Sequence, residues 1–163
     1  MRLRRFITAT LFLLLPLMGT AHAQGNPAMA GVSEGKVVWN ITMTDPEPLA
    51  GQMQVIRQTY KDLKEAGIDE PKMVLGFHSQ NVRYLAEDLS DLPLKKVDAV
   101  RRFNKQLDKL MKLDGVRVEA CAIANQFFGM ADDAIRSGIH VVDNGYVSFI
   151  GYQQQGYGMI GIH

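Results

Sequence analysis

Residues 36–162 alternate short β-branched runs with stretches of helical period, and that alternation leaves few folds open. "KVVWNITM" (Lys36–Met43) is rich in β-branched and aromatic residues, as a strand requires. Asp45-Pro46 then supplies a helix start. Leu49, Met53, Ile56, Tyr60 and Leu63 recur at three- and four-residue steps, which places one apolar stripe on a helix that Gly67 ends. "KMVLGFH" (Lys72–His78) is a nearly continuous apolar run, the pattern of a strand buried on both faces of a parallel sheet. A short helical stretch at 81–85 and the polar loop "EDLSDLP" lead to a second amphipathic helix, with Val97, Val100, Phe103, Leu107, Leu110 and Met111 on one side.

Gly115 breaks that helix and "VRVEA" (Val116–Ala120) forms a third strand. "GIHVVD" (Gly138–Asp143) reads as a fourth and "GYGMIGI" (Gly156–Ile162) as a fifth, with a helix over about 146–155 between them. Strands separated by helices imply a right-handed, mostly parallel α/β sandwich built as one domain, 36–163. Strand order does not follow from the pattern, although sequential neighbours are the commoner case.

The first 23 residues have another purpose. Arg2, Arg4 and Arg5 precede an apolar run from Phe6 to Met18, and Ala21-His22-Ala23 supplies a small-x-small cleavage site ahead of Gln24. These are the parts of a secretory signal peptide, 1–23. No cysteine stands at the cleavage point to take a lipid, and no later stretch is long and apolar enough to span a bilayer. The expectation is a periplasmic protein without a membrane anchor, beginning with a flexible, Gly/Pro-containing leader at 24–35. Cleavage removes three of the 18 basic residues and none of the 17 acidic ones, leaving a net charge of −2. Nucleic-acid binding, which calls for a basic excess, is not expected.

The chain has one cysteine, so no intramolecular disulfide can form. In an oxidising compartment an unpaired thiol must be buried, paired with another molecule, or used. Cys121 falls at the carboxyl end of the third strand, the edge along which open α/β sheets place their ligands. Ala122–Phe128 reads as a short helix starting there, whose free N–H groups would favour thiolate over thiol. At the reference pKa of about 8.5 only a few per cent of a thiol is ionised at neutral pH, so such help matters. Inert burial stands beside this reading, because Ala120, Ala122, Ile123 and Ala124 surround the cysteine with apolar neighbours.

His78 ends the second strand as Cys121 ends the third, so in adjacent strands its imidazole would be a candidate thiolate stabiliser; otherwise it caps a helix or faces solvent. Asn125 is a candidate orienting residue. His140 lies inside a strand and His163 ends the chain, so no His/Cys spacing matches a zinc motif. The glycines of "GYQQQGYGMIG" follow a helix rather than open one, so no phosphate loop and no cofactor is implied. Phe127, Phe128 and Met130 read first as core and second as the wall of a pocket or subunit contact.

"GVRVEACAIANQFFGM" and "GIHVVDNGYVSFIGYQQQGYGMI" together resemble the DsrE/DsrF-like sulfur-relay family, in its exported single-domain branch. The marks are Gly115 and Val116 running into Cys121, then Asn125 and Gly129, Val141 and Val142, and Gln155, Gly156 and Tyr157. "VLGFHSQNVRYL" resembles the family's second strand with its histidine, at His78. The resemblance implies a three-layer α/β/α sandwich around a mostly parallel five-stranded sheet, assembly into homotrimers or larger homo-oligomers, and a cysteine that carries sulfane sulfur as a persulfide. That cysteine would be Cys121, exchanging sulfur with donor and acceptor thiols or proteins. The alternative is a non-catalytic oligomeric module binding a small ligand or a protein, with Cys121 as packing.

Overall fold

The computed structural model of the chain describes residues 25–163. The segment read from the sequence as a signal peptide, 1–23, lies outside the described residues. Within the leader, Pro27–Met29 form a single 3₁₀ turn capped by the Asn26 side chain. Beyond it five strands, β1 (Lys36–Ile41), β2 (Lys72–Phe77), β3 (Val116–Cys121), β4 (His140–Val142) and β5 (Gly158–Ile162), form one sheet in the order β4-β3-β2-β1-β5. Every pairing is parallel.

Four helices connect them: α1 (Pro46–Glu65), α2 (Leu94–Leu110), α3 (Ala122–Phe127) and α4 (Gly145–Gln154). Asp45 caps α1 by accepting the Glu47 N–H, and Pro46 fits the first turn because a missing N–H costs nothing there. The stripe of Leu49, Met53, Ile56 and Tyr60 is buried, as is that of Val100, Phe103, Leu107 and Leu110 on α2. The stretch at 81–85 is a 3₁₀ helix, Gln80–Leu85. Its Asn81 amide donates to the carbonyls of Ile41 and Met43 (3.0 and 3.1 Å), which ties the turn after β2 to the end of β1.

Strand pleating separates two cores. Val37, Trp39, Ile41, Met73, Leu75, Phe77, Val118 and Ala120 join α1 and α2 in the larger one. Val38 and Val74 face the other way and meet Phe149 of α4 in the smaller. The order of the strands explains why α4 alone changes sides. From β1 to β4 the chain steps across the sheet in one direction, and the last connection carries it back past three strands to β5. With right-handed crossovers, reversing the direction of travel puts the connecting helix on the opposite face. The three layers are therefore α1 and α2, the sheet, and α4. Gly76 allows the close fit of the third layer: a Cβ there would lie 2.2 Å from the Phe149 ring.

Candidate functional site

Register places the two sequence candidates side by side. Phe77 pairs with Ala120, so the next residues, His78 and Cys121, leave adjacent strands together at the carboxyl edge. Alternation turns Arg117 and Glu119 toward α4, while Cys121, the last residue of β3, belongs to the larger core and still presents its sulfur to the first turn of α4. Cys121 is 6% exposed.

The donor to the sulfur is not where sequence reasoning put it. Cys121 stands at the N-cap of α3 and makes no side-chain bond to it. The Gly145 N–H, in the first turn of α4, donates to Cys121 Sγ at 3.3 Å. α4 is ten residues long and α3 six, so α4 also brings the larger aligned dipole. Asn144 caps α4 by accepting the Tyr146 N–H at 3.0 Å. Gly145 is wedged between the two candidates, for a Cβ there would lie 3.3 Å from Cys121 Cβ and 3.4 Å from His78 Cβ.

His78 makes no hydrogen bond to the sulfur; its Nε2 lies 2.5 Å from Asn40 Oδ1. With that carboxamide oxygen as acceptor, Nε2 carries the proton. The ring packs against Tyr146 and Phe149, with centroids 5.1 and 5.3 Å away. Burial pushes its pKa below the ordinary histidine value, so at neutral pH the imidazole is uncharged. Asn125 is fully buried, and its Nδ2 donates to Asp132 Oδ1 at 2.9 Å, which fastens the loop after α3. Its carboxamide does not border the space in front of the sulfur.

That space is a cavity of about 370 Å³, within the ~300–1,000 Å³ range of small-molecule sites. Cys121 and His78 lie on it with Ile123, Phe127, Phe128 and Tyr146, and no acidic, lysine or arginine side chain lines it. Phe127 is 83% and Tyr146 63% exposed, so the mouth is rimmed by apolar surface. Among the described residues no group of three His, Cys, Asp or Glu side chains is placed to hold a metal ion.

One residue of the neighbourhood escaped sequence reasoning. Glu119, two residues before Cys121 on β3, is 3% exposed. Its carboxylate accepts from Arg117 Nε and the Tyr152 hydroxyl, both at 2.7 Å, and from Ser148 Oγ. Burial, and then the carboxylate itself, hold the Tyr152 phenol above the ordinary tyrosine value. Ser148 and Tyr152 are one helical turn apart, so Glu119 fastens α4 to β3 and thereby sets the Gly145 N–H over the sulfur. An acid and a base two residues apart on one side of a strand, Arg117 and Glu119, were the available signal.

Comparisons with known proteins agree with this picture of the fold. Residues 63–161 match the DsrE/DsrF-like family. No curated protein sequence matches the chain. A solved structure of a protein of unknown function from Methanobacterium thermoautotrophicum is similar, with a TM-score of 0.61 and 21% identity, over 79% of this chain and 100% of that one. That likeness bears on the fold alone.

Proposed function

The chain belongs to the DsrE/DsrF-like family, and from that premise we propose that it is a periplasmic sulfur carrier whose Cys121 holds sulfane sulfur as a persulfide. The Cys121 thiolate attacks the outer sulfur of a donor persulfide, R–S–SH. A new S–S bond forms, the donor's S–S bond breaks, and R–S⁻ leaves with the electron pair. An acceptor thiolate then attacks the outer sulfur of Cys121–S–SH and returns the Cys121 thiolate. The observation carrying this reading is the thiol at the sheet's carboxyl edge, with the Gly145 N–H on its sulfur and a cavity before it. His78 borders the same cavity, bonded to Asn40 and uncharged, so it supplies no fixed cation to the sulfur.

Intact mass spectrometry tests it. The protein is exposed to aqueous polysulfide, which holds zerovalent sulfur both as anionic chains and as the neutral ring. The expected result is a gain of about 32 Da per sulfur, lost on reduction. Cys121→Ser should show none, and equal loading of that variant would sink the proposal. The same spectrum, taken on protein released from the periplasm, should give a mass beginning at Gln24; an uncut chain confined to the cytoplasm would refute the compartment.

The near-complete burial of Cys121 favours one second reading, a binding module in which the thiol only packs. Labelling of the native protein by a polar thiol reagent separates the two. Fast labelling supports chemistry, and labelling only after denaturation supports packing. In either reading we infer a homo-oligomer, because α4 leaves Tyr146, Val147 and Ile150 exposed beside the cavity mouth.

A further inference from the structure

If Cys121 carries sulfane sulfur, the next question is what brings that sulfur in, and the charge of the cavity bears on it. None of the side chains that line it is formally charged when His78 is neutral. The polar groups there are largely engaged. Ser79 Oγ donates to the Thr42 carbonyl at 3.1 Å, His78 Nε2 bonds to Asn40, and the Gly145 N–H is taken by the sulfur itself. Among the described residues the one buried charged side chain is Glu119, two residues before Cys121 on β3, and its partner Arg117 is spent on it.

An anionic donor entering this space gives up hydration without meeting a cation, which costs several kcal/mol in an apolar setting. It must also approach a thiolate of the same sign, a repulsion of about 4 kcal/mol at 4 Å and an effective dielectric of 20. An uncharged sulfur molecule meets neither obstacle. It gains from burial against Ile123, Phe127 and Phe128, roughly 25 cal/mol for each Å² removed from water.

We propose that this cavity selects uncharged sulfane-sulfur donors, the elemental sulfur ring or an apolar organic trisulfide, over anionic ones; the proposal rests on the persulfide reading of Cys121. With an organic trisulfide, R–S–S–S–R, the Cys121 thiolate attacks the central sulfur, the Sγ–S bond forms, one S–S bond breaks and R–S⁻ leaves with the electron pair. With the eight-membered ring the loading step likewise balances without a further reagent. The Cys121 thiolate attacks one ring sulfur, the Sγ–S bond forms and one ring S–S bond breaks. The electron pair moves to the far end of the opened chain, which becomes a terminal S⁻. Formally Sγ is oxidised and that terminal sulfur reduced. The new anion is carried outward along the chain, toward the mouth rimmed by the exposed Ile123, Phe127 and Tyr146, where water solvates it.

The test uses the full mature protein and a matched pair of donors with the same reacting S–S–S group, neutral dimethyl trisulfide and anionic glutathione trisulfide. Each adduct-formation rate, read by intact mass, is divided by the rate of a small model thiol with the same donor. The expected normalised ratio favours the neutral donor by tenfold or more. Ile123→Lys, which puts a cation on the half-exposed rim, should move that ratio toward the anionic donor by about tenfold. A wild-type ratio at or below one overturns the charge selection while leaving Cys121 as carrier. No adduct at Cys121 with any donor overturns the carrier reading itself. A third arm uses dispersed elemental sulfur: an adduct of eight sulfurs supports the ring step, and silence there with an active neutral trisulfide overturns that step and leaves the open chain as donor.

Discussion

At Cys121 the decisive neighbour is a glycine. Gly145 brings its N–H to the sulfur because nothing projects from its Cα into the gap between Cys121 and His78. An alanine methyl there meets atoms at 3.3–3.6 Å, so the first turn of α4 must retreat by a few tenths of an ångström. A helix N-terminus stabilises a nearby anion by about 0.3–1 kcal/mol, with steep falloff over distance. Gly145→Ala should therefore slow iodoacetamide labelling at pH 7 about two- to fivefold. An unchanged labelling rate would show that this amide does not hold the thiolate. His78 gives a prediction of a different kind. Its folded-state pKa lies below the unfolded value, so the unfolded chain binds the proton more readily. The stability it contributes is complete above about pH 6.5 and is lost as pH falls through that value toward the folded pKa. His78→Gln should flatten the urea midpoint between pH 7 and pH 5; the same slope in the variant would assign the effect to other groups.

Among the elements, α4 governs the site, and its position was the least legible part of the chain. The strands were readable because β-branched runs between glycines and prolines have few alternatives, and α1 and α2 because each carries a single apolar stripe. β4 is shorter than the run Gly138–Asp143 suggests: Gly138 has φ +82°, a turn conformation, and β3 pairs with His140–Val142 alone on that side. The helix after β4 was expected within a residue or so of its place, but its face depends on β5 crossing back to β1. Hence the sulfur's donor was sought in α3, the sequence neighbour, and found in α4. Glu119 was passed over for a related reason, since nothing local to β3 shows that α4 roofs its Arg117 and Glu119 side. Two substitutions probe this docking. Gly76→Ala drives a methyl into the Phe149 ring and should cost about 1–3 kcal/mol. Glu119→Ala strands the hydroxyls of Ser148 and Tyr152 and should cost about 2 kcal/mol, Arg117 being exposed enough to be resolvated. Both should also slow thiol labelling. Lost stability with undiminished labelling would mean that α4 docks without setting the sulfur's environment.

For the whole molecule, the two faces of the sheet are unequally covered. α1 and α2 bury one face, each amphipathic with its polar side outward. α4 alone covers the other, and it carries no charged side chain and has apolar residues on both sides: Phe149 points into the smaller core while Tyr146, Val147 and Ile150 are exposed. A helix of that kind is ordinarily buried on both sides. Ile123, Phe127 and Val141 extend the exposed apolar surface along the carboxyl edge, so the patch and the cavity mouth are continuous. A second copy laid on this surface would bury what α4 leaves bare and would narrow the way to Cys121. Light scattering on the eluting protein should accordingly give the mass of more than one chain, and the family resemblance sets the expected number at three or a multiple of three. Val147→Glu combined with Ile150→Lys, both outside the small core, should yield a folded monomer with an unchanged circular dichroism spectrum. The monomer should label faster at Cys121, because the mouth is then open. A wild-type monomer would remove the second copy, and an oligomer untouched by the two charges would place the contact elsewhere. The labelling rate separates an interface that merely covers α4 from one that also controls access to the sulfur.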